Sequence, residues 1–415
     1  MEPCDVLVIG GGAAGMMAAL AARETGAEVI LLEPNEKLGR KLYITGKGRC
    51  NLTNDSDAET VLQNVPRNSR FLYSAVSAFP PGAVKEYFEA LGVPLKTERG
   101  GRVFPCSDKA ADVIDALFFS IQRKRVRIVH GKCQELLVKK GCIVGAQTSR
   151  GEISCRAAIL ATGGMSYPAT GSRGDGYAMA EALGHTIVPP KGSLVPLVEE
   201  GQVCSAMQGL SLRNVKLTVR NQKKKVVYEE QGELLFTHFG LSGPLALSAS
   251  AHMQDFEKNQ YRAVIDLKPA LDEQKLEERI LRDFTEQANR NFQNMLEGLL
   301  PRLMIPVMIK YCDIAGDTKV HSITKAQRRR LVECLKQFSI PIAGLRPVAE
   351  AIITAGGVKT GEIMPGSMQS KLMEGLFFAG EIIDVDAYTG GFNLQIAWST
   401  GRLAGLSAGE YCLKE

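Results

Sequence analysis

A mixed α/β chain, with one parallel sheet drawn from both ends of the sequence and a β-rich segment inserted between them, is the architecture this sequence predicts. Three observations carry it. Two short apolar runs, at 5–9 and 29–32, flank a small-residue helical pattern, so strand, glycine turn, helix and strand fill the first 33 residues. Similar vocabulary returns near the other end, where Gly375-Leu376-Phe377-Phe378-Ala379-Gly380 reads as a strand meeting glycine. Between these stretches, around Pro189-Pro190, the character changes to alternating segments.

Taken in order, Asp5 to Ile9 is β-branched and apolar, Ala13 to Thr25 is small and helix-forming, and Gly26 stands where a C-cap belongs. Val29 to Leu32 is a second buried strand, closed by Glu33. Pro34 to Asn54 is rich in glycine and basic residues and leads to helices around Ser69 to Leu91, punctuated by Pro80-Pro81. Val126 to Val129, Cys133 to Val138 and Ile143 to Thr148 read as strands of a small sheet with turns at Gly141 and Gly145. Ala157 to Leu160 is a further buried strand that rejoins the first sheet.

Leu194 to Asp266 reads as a β-rich insert, with Val215 to Val219 and Lys225 to Glu229 among its strands. Charged helical periodicity over Leu271 to Leu300 and Lys325 to Phe338 marks a helical module. From Ala355-Gly356-Gly357 the chain resembles its first part again and ends in a small-residue helix over Gly391 to Gly409. The expected domains are therefore 1–190 with 356–415, a β-rich domain at 191–268 with 339–355, and a helical subdomain at 269–338.

Composition narrows the function. With 415 residues, 45% hydrophobic and 23% charged, the chain can bury a large core in more than one domain. Its ten cysteines are scattered with no C-x-x-C pair, which argues against a disulfide framework, a bound metal and a dithiol redox centre. The N-terminus lacks a basic n-region, and no run reaches the ~20 apolar residues of a membrane span, so a cytoplasmic protein without a membrane partner is expected. The net charge is only +5, and the basic runs at 123–125, 223–225 and 328–330 are not interleaved with aromatics. They read as solvated faces rather than a nucleic-acid surface, though one run could attract an anionic substrate or a nicotinamide dinucleotide.

Chemistry enters at Gly10-Gly11-Gly12-Ala13-Ala14-Gly15, directly after a strand and opening a helix. Gly10 permits the tight turn, Gly12 lets backbone approach a pyrophosphate, and Gly15 lets helix and strand pack closely. The free N–H groups at the helix start face the phosphates. Glu33, closing the second strand, is placed to accept from both ribose hydroxyls and to repel a 2′-phosphate. This Rossmann-type fingerprint marks a dinucleotide without separating NAD from FAD.

Two later stretches separate them. Ile159-Leu160-Ala161-Thr162-Gly163-Gly164 is similar to the second strand-to-glycine crossover of two-dinucleotide-fold flavoproteins. Phe377-Phe378-Ala379-Gly380-Glu381, followed by Gly390-Gly391-Phe392-Asn393-Leu394-Gln395, is similar to their C-terminal flavin motif. Three glycine-bearing strand ends converging on one extended ligand predict non-covalent FAD. Ala161, Thr162 and Gly163 would lie near the first strand, and Gly380, Glu381, Gly391, Phe392, Asn393 and Leu394 near the ribityl chain and isoalloxazine. Reduced flavin carries negative charge around N1 and C2=O, and the helix N-terminus at Asn393, with the amides of Phe392 and Leu394, is suited to hold it.

Gly39-Arg40-Lys41 with Thr45-Gly46-Lys47-Gly48-Arg49-Cys50-Asn51 resembles the signature of the HI0933-like (YhiN-like) family of bacterial flavoproteins. Gly101-Arg102-Val103-Phe104-Pro105, the stretch from Phe236 to Pro244, and Thr354-Ala355-Gly356-Gly357-Val358 extend the resemblance over essentially the whole chain. It implies an FAD domain built from both ends, interrupted by a β-barrel-like domain and a helical domain. It also implies cofactor contacts from Arg40, Lys41, Gly46, Arg49, Cys50 and Asn51, with Cys50 acting through its backbone rather than its thiol. Arg49 and Lys47 could instead meet an anionic substrate. Many flavoproteins place Asp where this chain has Glu381, so Asp384 or a backbone amide could share the ribityl contact.

No second G-x-G-x-x-G follows a later strand, and Gly171 to Gly176 has the wrong spacing. NAD(P)H is therefore expected as a transient electron donor with ping-pong kinetics. His238 and Tyr388 are the candidate proton donors, although His238 reads more readily as a structural histidine. The resemblance implies an NAD(P)H-dependent reductase of a conjugated C=C bond in an apolar small molecule, such as a 3-oxo bile-acid or steroid intermediate. The alternatives are an aminoacetone-type flavin amine oxidase and a flavin-loaded binding protein without turnover. The oligomeric state stays open.

Overall fold

Five parallel strands form the first sheet in the order Leu376–Phe378, Ala157–Leu160, Val6–Ile9, Val29–Glu33 and Arg127–His130. Every residue of Val6–Ile9, Val29–Glu33 and Ala157–Leu160 is buried, as strands covered on both faces require. Their carboxyl ends lie along one edge, where Gly10, Glu33, Ala161 and Ala379 are found. Ligands of open parallel sheets bind at that edge. The computed structural model describes residues 3–253 and 256–413.

Arg127–His130 corrects one expectation, because it extends the parallel sheet beside Val29–Glu33 instead of joining the small sheet. That small sheet consists of Cys133–Lys139, Cys142–Thr148 and Gly151–Ser154. Gly145 lies inside its middle strand rather than at a turn, and a β-carbon there would lie 2.5 Å from the Ile153 carbonyl oxygen.

The helix Ala13–Glu24 packs along the C-terminal helix Phe392–Leu413. Backbones approach so closely that a β-carbon at Gly405 would lie 2.2 Å from the Ala18 carbonyl oxygen. This explains why Gly401, Gly405 and Gly409 recur at four-residue spacing on the face that meets the first helix.

The chain forms two compact units, Met1–Ser193 with Val348–Glu415, and Leu194–Pro347. Pro189 and Pro190 do not end the first unit. They sit in the strand Ile187–Ser193, where pairing with Ile353–Val358 shifts register between Val188 and Lys191, a bulge that tolerates the missing proline N–H groups.

Within the second unit, six strands close a barrel in the order Leu197–Glu199, Gly240–Ser242, Val226–Thr237, Ser211–Asn221, Tyr261–Asp266 and Phe338–Leu345. The helices Glu273–Glu286, Ile305–Cys312 and Lys325–Lys336 share its core, with Leu276, Ile280, Met308 and Leu335 in the same apolar cluster as Leu217, Phe236 and Phe338. Asp272 caps the first of these helices, and Thr324 with Gln327 forms a capping box on the last.

All ten cysteines are free thiols. Among the described residues no helix is long and apolar enough to cross a membrane, and no group of three or more His, Cys, Asp or Glu could hold a metal ion.

His185 gives the first unit a pH dependence. Its ring is 2% exposed, Nε2 lies 2.8 Å from the Ser370 hydroxyl, and the Phe378 ring meets it edge-on at 4.9 Å. Burial lowers its pKa below the ordinary histidine range, outweighing the Glu362 carboxylate 3.5 Å from Nδ1. Because the unfolded chain protonates first, this contribution is full above about pH 6.5 and is lost as pH falls towards the folded pKa. Urea unfolding at stepped pH should give wild type up to about 1.4 kcal/mol more loss per pH unit in that window than His185→Gln. Parallel curves for the two proteins would refute the assignment.

Candidate functional site

The glycine turn after the first strand divides its labour. Gly10 has φ of 109°, and a β-carbon there would lie 2.5 Å from the Ala161 carbonyl oxygen, while one at Gly15 would lie 1.8 Å from the Gly10 carbonyl oxygen. These two glycines are demanded by the protein's own packing. Gly12 is different, being the extended N-cap of the first helix, where a β-carbon would meet nothing within 4 Å. Its open face is where a ligand's phosphates can approach. The Met16 N–H is the first to bond back, to the Gly12 carbonyl at 2.9 Å, so Ala13, Ala14 and Gly15 present N–H groups that precede the helical ladder.

Glu33 is 7% exposed and anchored at both oxygens. Oε2 accepts from the Gly11 N–H at 2.7 Å, and Oε1 accepts from the Asn35 backbone N–H at 2.9 Å and its amide at 2.5 Å. Arg40 donates to the Asn35 side-chain oxygen at 2.7 Å, which places Arg40 one residue behind Glu33.

At the middle crossover, Ala161 is buried beside the Gly10 turn and Gly163 follows Thr162, whose buried hydroxyl has no hydrogen-bond partner among the described residues. Gly380 closes the third strand end, its N–H donating to the Thr400 hydroxyl at 3.0 Å. The next residue, Glu381, is held by three donors. Lys41 Nζ reaches Oε2 at 2.5 Å, while the Ser166 hydroxyl and the Thr354 N–H each reach Oε1 at 2.9 Å. Lys41 also donates to the Ser166 hydroxyl at 2.6 Å. The Lys41 and Glu381 side chains are only 21% and 11% exposed, so this is a sheltered ion pair.

The C-terminal helix begins at Phe392, and the Gln395 N–H makes the first backward bond, to the Gly391 carbonyl at 3.0 Å. Phe392, Asn393 and Leu394 therefore offer N–H groups ahead of the ladder. The Asn393 side chain does not join them. Its oxygen accepts from the Ala387 N–H at 2.9 Å and its nitrogen donates to the Ala387 carbonyl at 2.7 Å, closing the loop that contains Tyr388. Asn393 can serve a ligand through its backbone, which narrows the expectation placed on it.

Arg49 pairs with Glu98 and with Asp108, the latter at 2.6 Å, and lies 4.1 Å from the centre of the Phe104 ring. Its guanidinium thus takes part in a surface network of carboxylates. Gly46 and Lys47 turn the chain with consecutive positive φ of 57° and 61°. Cys50 is fully buried and burial pushes its thiol up to about 12, which keeps it a protonated, poorly nucleophilic thiol. The Asn51 amide, oriented by its donors and acceptors, turns its oxygen to the Gly391 N–H at 3.0 Å and its nitrogen to the Thr53 carbonyl at 3.2 Å.

Tyr388 is half-buried, with its N–H on the Asn64 carbonyl at 3.0 Å. His238 belongs to the other unit, exposed in the turn between Val226–Thr237 and Gly240–Ser242, with its ring edge-on to Phe239 at 5.0 Å. Asn35, Asn54, Ser166 and Thr354 also shape the site and carry no glycine signature. Of these, only Thr354 is signalled, by opening Thr354-Ala355-Gly356-Gly357-Val358.

An open face above Gly12, an unpartnered Thr162 hydroxyl and two helix N-termini beside three strand ends fit a long ligand with an anionic centre. FAD has that form. Such a fold and site define a Rossmann-type FAD-dependent oxidoreductase. Residues 4–407 match the HI0933-like protein Rossmann domain, and the chain belongs to that family.

It is 33% identical over 410 residues to the 3-dehydro-bile acid delta(4,6)-reductase of Clostridium scindens, covering 97% of this chain and 98% of that one. It is 30% identical over 409 residues to the ribosomal RNA dihydrouridine synthase of Escherichia coli, covering 96% of each. The fold is similar to that of the 3-ketosteroid-delta4-(5alpha)-dehydrogenase from Rhodococcus jostii RHA1, with a TM-score of 0.51 and 17% identity over 98% of this chain and 97% of that one.

Proposed function

We propose that the protein reduces a carbon–carbon double bond conjugated to a carbonyl, with NAD(P)H as a transient electron donor. One observation carries this reading. Two relatives that align end to end, at 33% and 30% identity, bear different substrate names but share that reaction type. A delta(4,6)-reductase saturates a bond in conjugation with a ring ketone, and a dihydrouridine synthase saturates the uracil C5=C6 bond in conjugation with C4=O. The single dinucleotide fingerprint supports a visiting donor, since one resident cofactor leaves its exposed face to donor and substrate in turn.

When bound, FAD supplies hydride transfer through N5. Glu33, fixed by Gly11 and Asn35, holds the adenosine ribose, and the Ala13 to Gly15 N–H groups hold the pyrophosphate. Glu381, oriented by Lys41, takes a ribityl hydroxyl. The N–H groups of Phe392 to Leu394 hold negative charge at the pyrimidine edge, so their contribution grows as the flavin is reduced. Tyr388, in the unit that carries the glycine motifs, supplies the proton that the α-carbon of the substrate needs.

A 3-oxo bile-acid or steroid intermediate is the first substrate reading, supported by the Clostridium scindens relative. The Escherichia coli relative supports a second, a uridine in ribosomal RNA, which would make nucleic acid a partner. Anaerobic stopped-flow mixing with NADH or NADPH should bleach the ~450 nm flavin band, and the reduced protein should be reoxidised by a 3-oxo-4,6-diene bile acid or by a ribosomal RNA transcript. A gain of two hydrogens in the mass of one of them identifies the substrate. Reoxidation by neither would sink the proposal, with peroxide released from aminoacetone pointing to the amine oxidase and no reduction at all to a binding protein.

A further inference from the structure

Four consecutive residues, Asn51 to Asn54, run beside the turn that opens the C-terminal helix, and each is bonded to the turn or the helix. The Asn51 amide oxygen accepts from the Gly391 N–H at 3.0 Å, and the Leu52 carbonyl accepts from Trp398 Nε1 at 2.9 Å. The Thr53 hydroxyl pairs with Gln395 Oε1 at 2.5 Å, and the Asn54 amide donates to the Gly390 carbonyl at 3.0 Å. Asn51 and Asn54 thus grip the two ends of one peptide unit, the N–H and the C=O of the Gly390–Gly391 bond.

That peptide needs restraint from outside. Gly390 and Gly391 have φ of 128° and 101°, and with no β-carbon on either side the plane between them has little intrinsic barrier to reorientation. A β-carbon at Gly391 would lie 2.2 Å from the Thr53 carbonyl oxygen, so no bulkier residue can do the stiffening from within. Asn54 is 6% exposed, and its amide also donates to the Gly100 carbonyl at 3.1 Å, in the turn between the strands Leu95–Glu98 and Arg102–Pro105. It is therefore anchored from behind while it holds the Gly390 carbonyl.

We infer that Asn54, acting with Asn51, is a positioning residue that locks the Gly390–Gly391 peptide and so sets the flavin's reduction potential. The link is the direction of the Phe392 to Leu394 N–H groups, which follow that peptide by one to three residues. Aimed at the pyrimidine edge they stabilise reduced flavin more than oxidised flavin, so loosening their aim makes the potential more negative. The inference rests on the reading that the flavin end of FAD lies at this helix N-terminus.

Asn54→Ser tests it without adding charge, in FAD-loaded full-length protein, by dye-equilibrated redox titration and FAD fluorescence titration. The expected result is bound FAD with a more negative potential and NAD(P)H-driven flavin reduction slowed on the order of 10-fold, with KM for the donor little changed. Asn54→Ala, which removes both amide donors and likewise adds no charge, should shift the potential in the same direction, and it carries the test if the serine variant yields no holoprotein. Leu117→Ala is the control, a core change in the helix Ala110–Arg123 that lowers stability and leaves the potential in place.

A wild-type potential in an Asn54 holoprotein would overturn the inference, as would a Leu117→Ala shift equal to that of the serine variant. Wild-type protein that fails to bind FAD would instead remove the reading beneath it.

Discussion

Gly12→Asp is expected to give a protein that folds as well as wild type in the absence of cofactor but purifies colourless and does not turn over. A β-carbon at Gly12 would meet nothing within 4 Å, and the residue has φ of −82°, which any L-residue adopts. The chain itself therefore has no stake in this glycine. The ligand does, because a carboxylate here occupies the path of the pyrophosphate and opposes its charge at the helix N-terminus. FAD affinity should fall at least ~100-fold, or about 2.7 kcal/mol, while urea unfolding of the apoprotein stays within about 0.5 kcal/mol of wild type.

Gly15→Ala makes the opposite pattern. Its β-carbon would lie 1.8 Å from the Gly10 carbonyl oxygen, so helix and strand must separate, and a stability loss of about 3 kcal/mol or more is expected in the apoprotein. Two glycines three residues apart are thus separable by experiment into one kept for the ligand and one kept for the fold. A yellow Gly12→Asp protein with wild-type affinity for FAD would show that the pyrophosphate lies elsewhere.

The same two glycines show what is legible in the chain alone. The turn, the first helix and the buried strands on either side are local events, written in contiguous residues, and the structure places them where the pattern predicts. Partner choice is not local. Arg127–His130 has the composition of either sheet's strand, and only its pairing with Val29–Glu33, almost a hundred residues earlier, decides between them. Proline at 189 and 190 looks like a boundary because most strands exclude it, yet a bulge absorbs it.

Charged side chains are the least legible part of the site. Arg49 sits in a glycine-rich loop that suggests a phosphate ligand, but its partners Glu98 and Asp108 arrive from a separate hairpin and the loop after it. Glu381 is expected as a ribityl ligand from its place after Gly380, and nothing near it in sequence announces a cation. Lys41 comes from 340 residues away. Motifs report where backbone must come close, whereas ion pairs depend on which loops the finished fold brings together.

That ion pair supports the second large effect. Lys41→Met should leave the Glu381 carboxylate, 11% exposed, with only the Ser166 hydroxyl and the Thr354 N–H to hold its charge. Breaking a fully buried pair costs about 3–5 kcal/mol, and because Lys41 keeps some contact with solvent a loss of about 2–3 kcal/mol is expected here. Glu381→Gln alone strands the ammonium instead and should also destabilise. The double variant removes both charges, so its loss should be smaller than the sum of the single losses by more than about 1 kcal/mol in a urea-unfolding cycle. Additive losses would mean that the pair is not coupled. Stability alone gives no reason to retain such a pair, since an uncharged replacement is often as stable. If the double variant recovers stability yet binds FAD at least ~10-fold more weakly, the pair is kept to aim Glu381 at the cofactor. Full recovery of both would assign it to the fold alone.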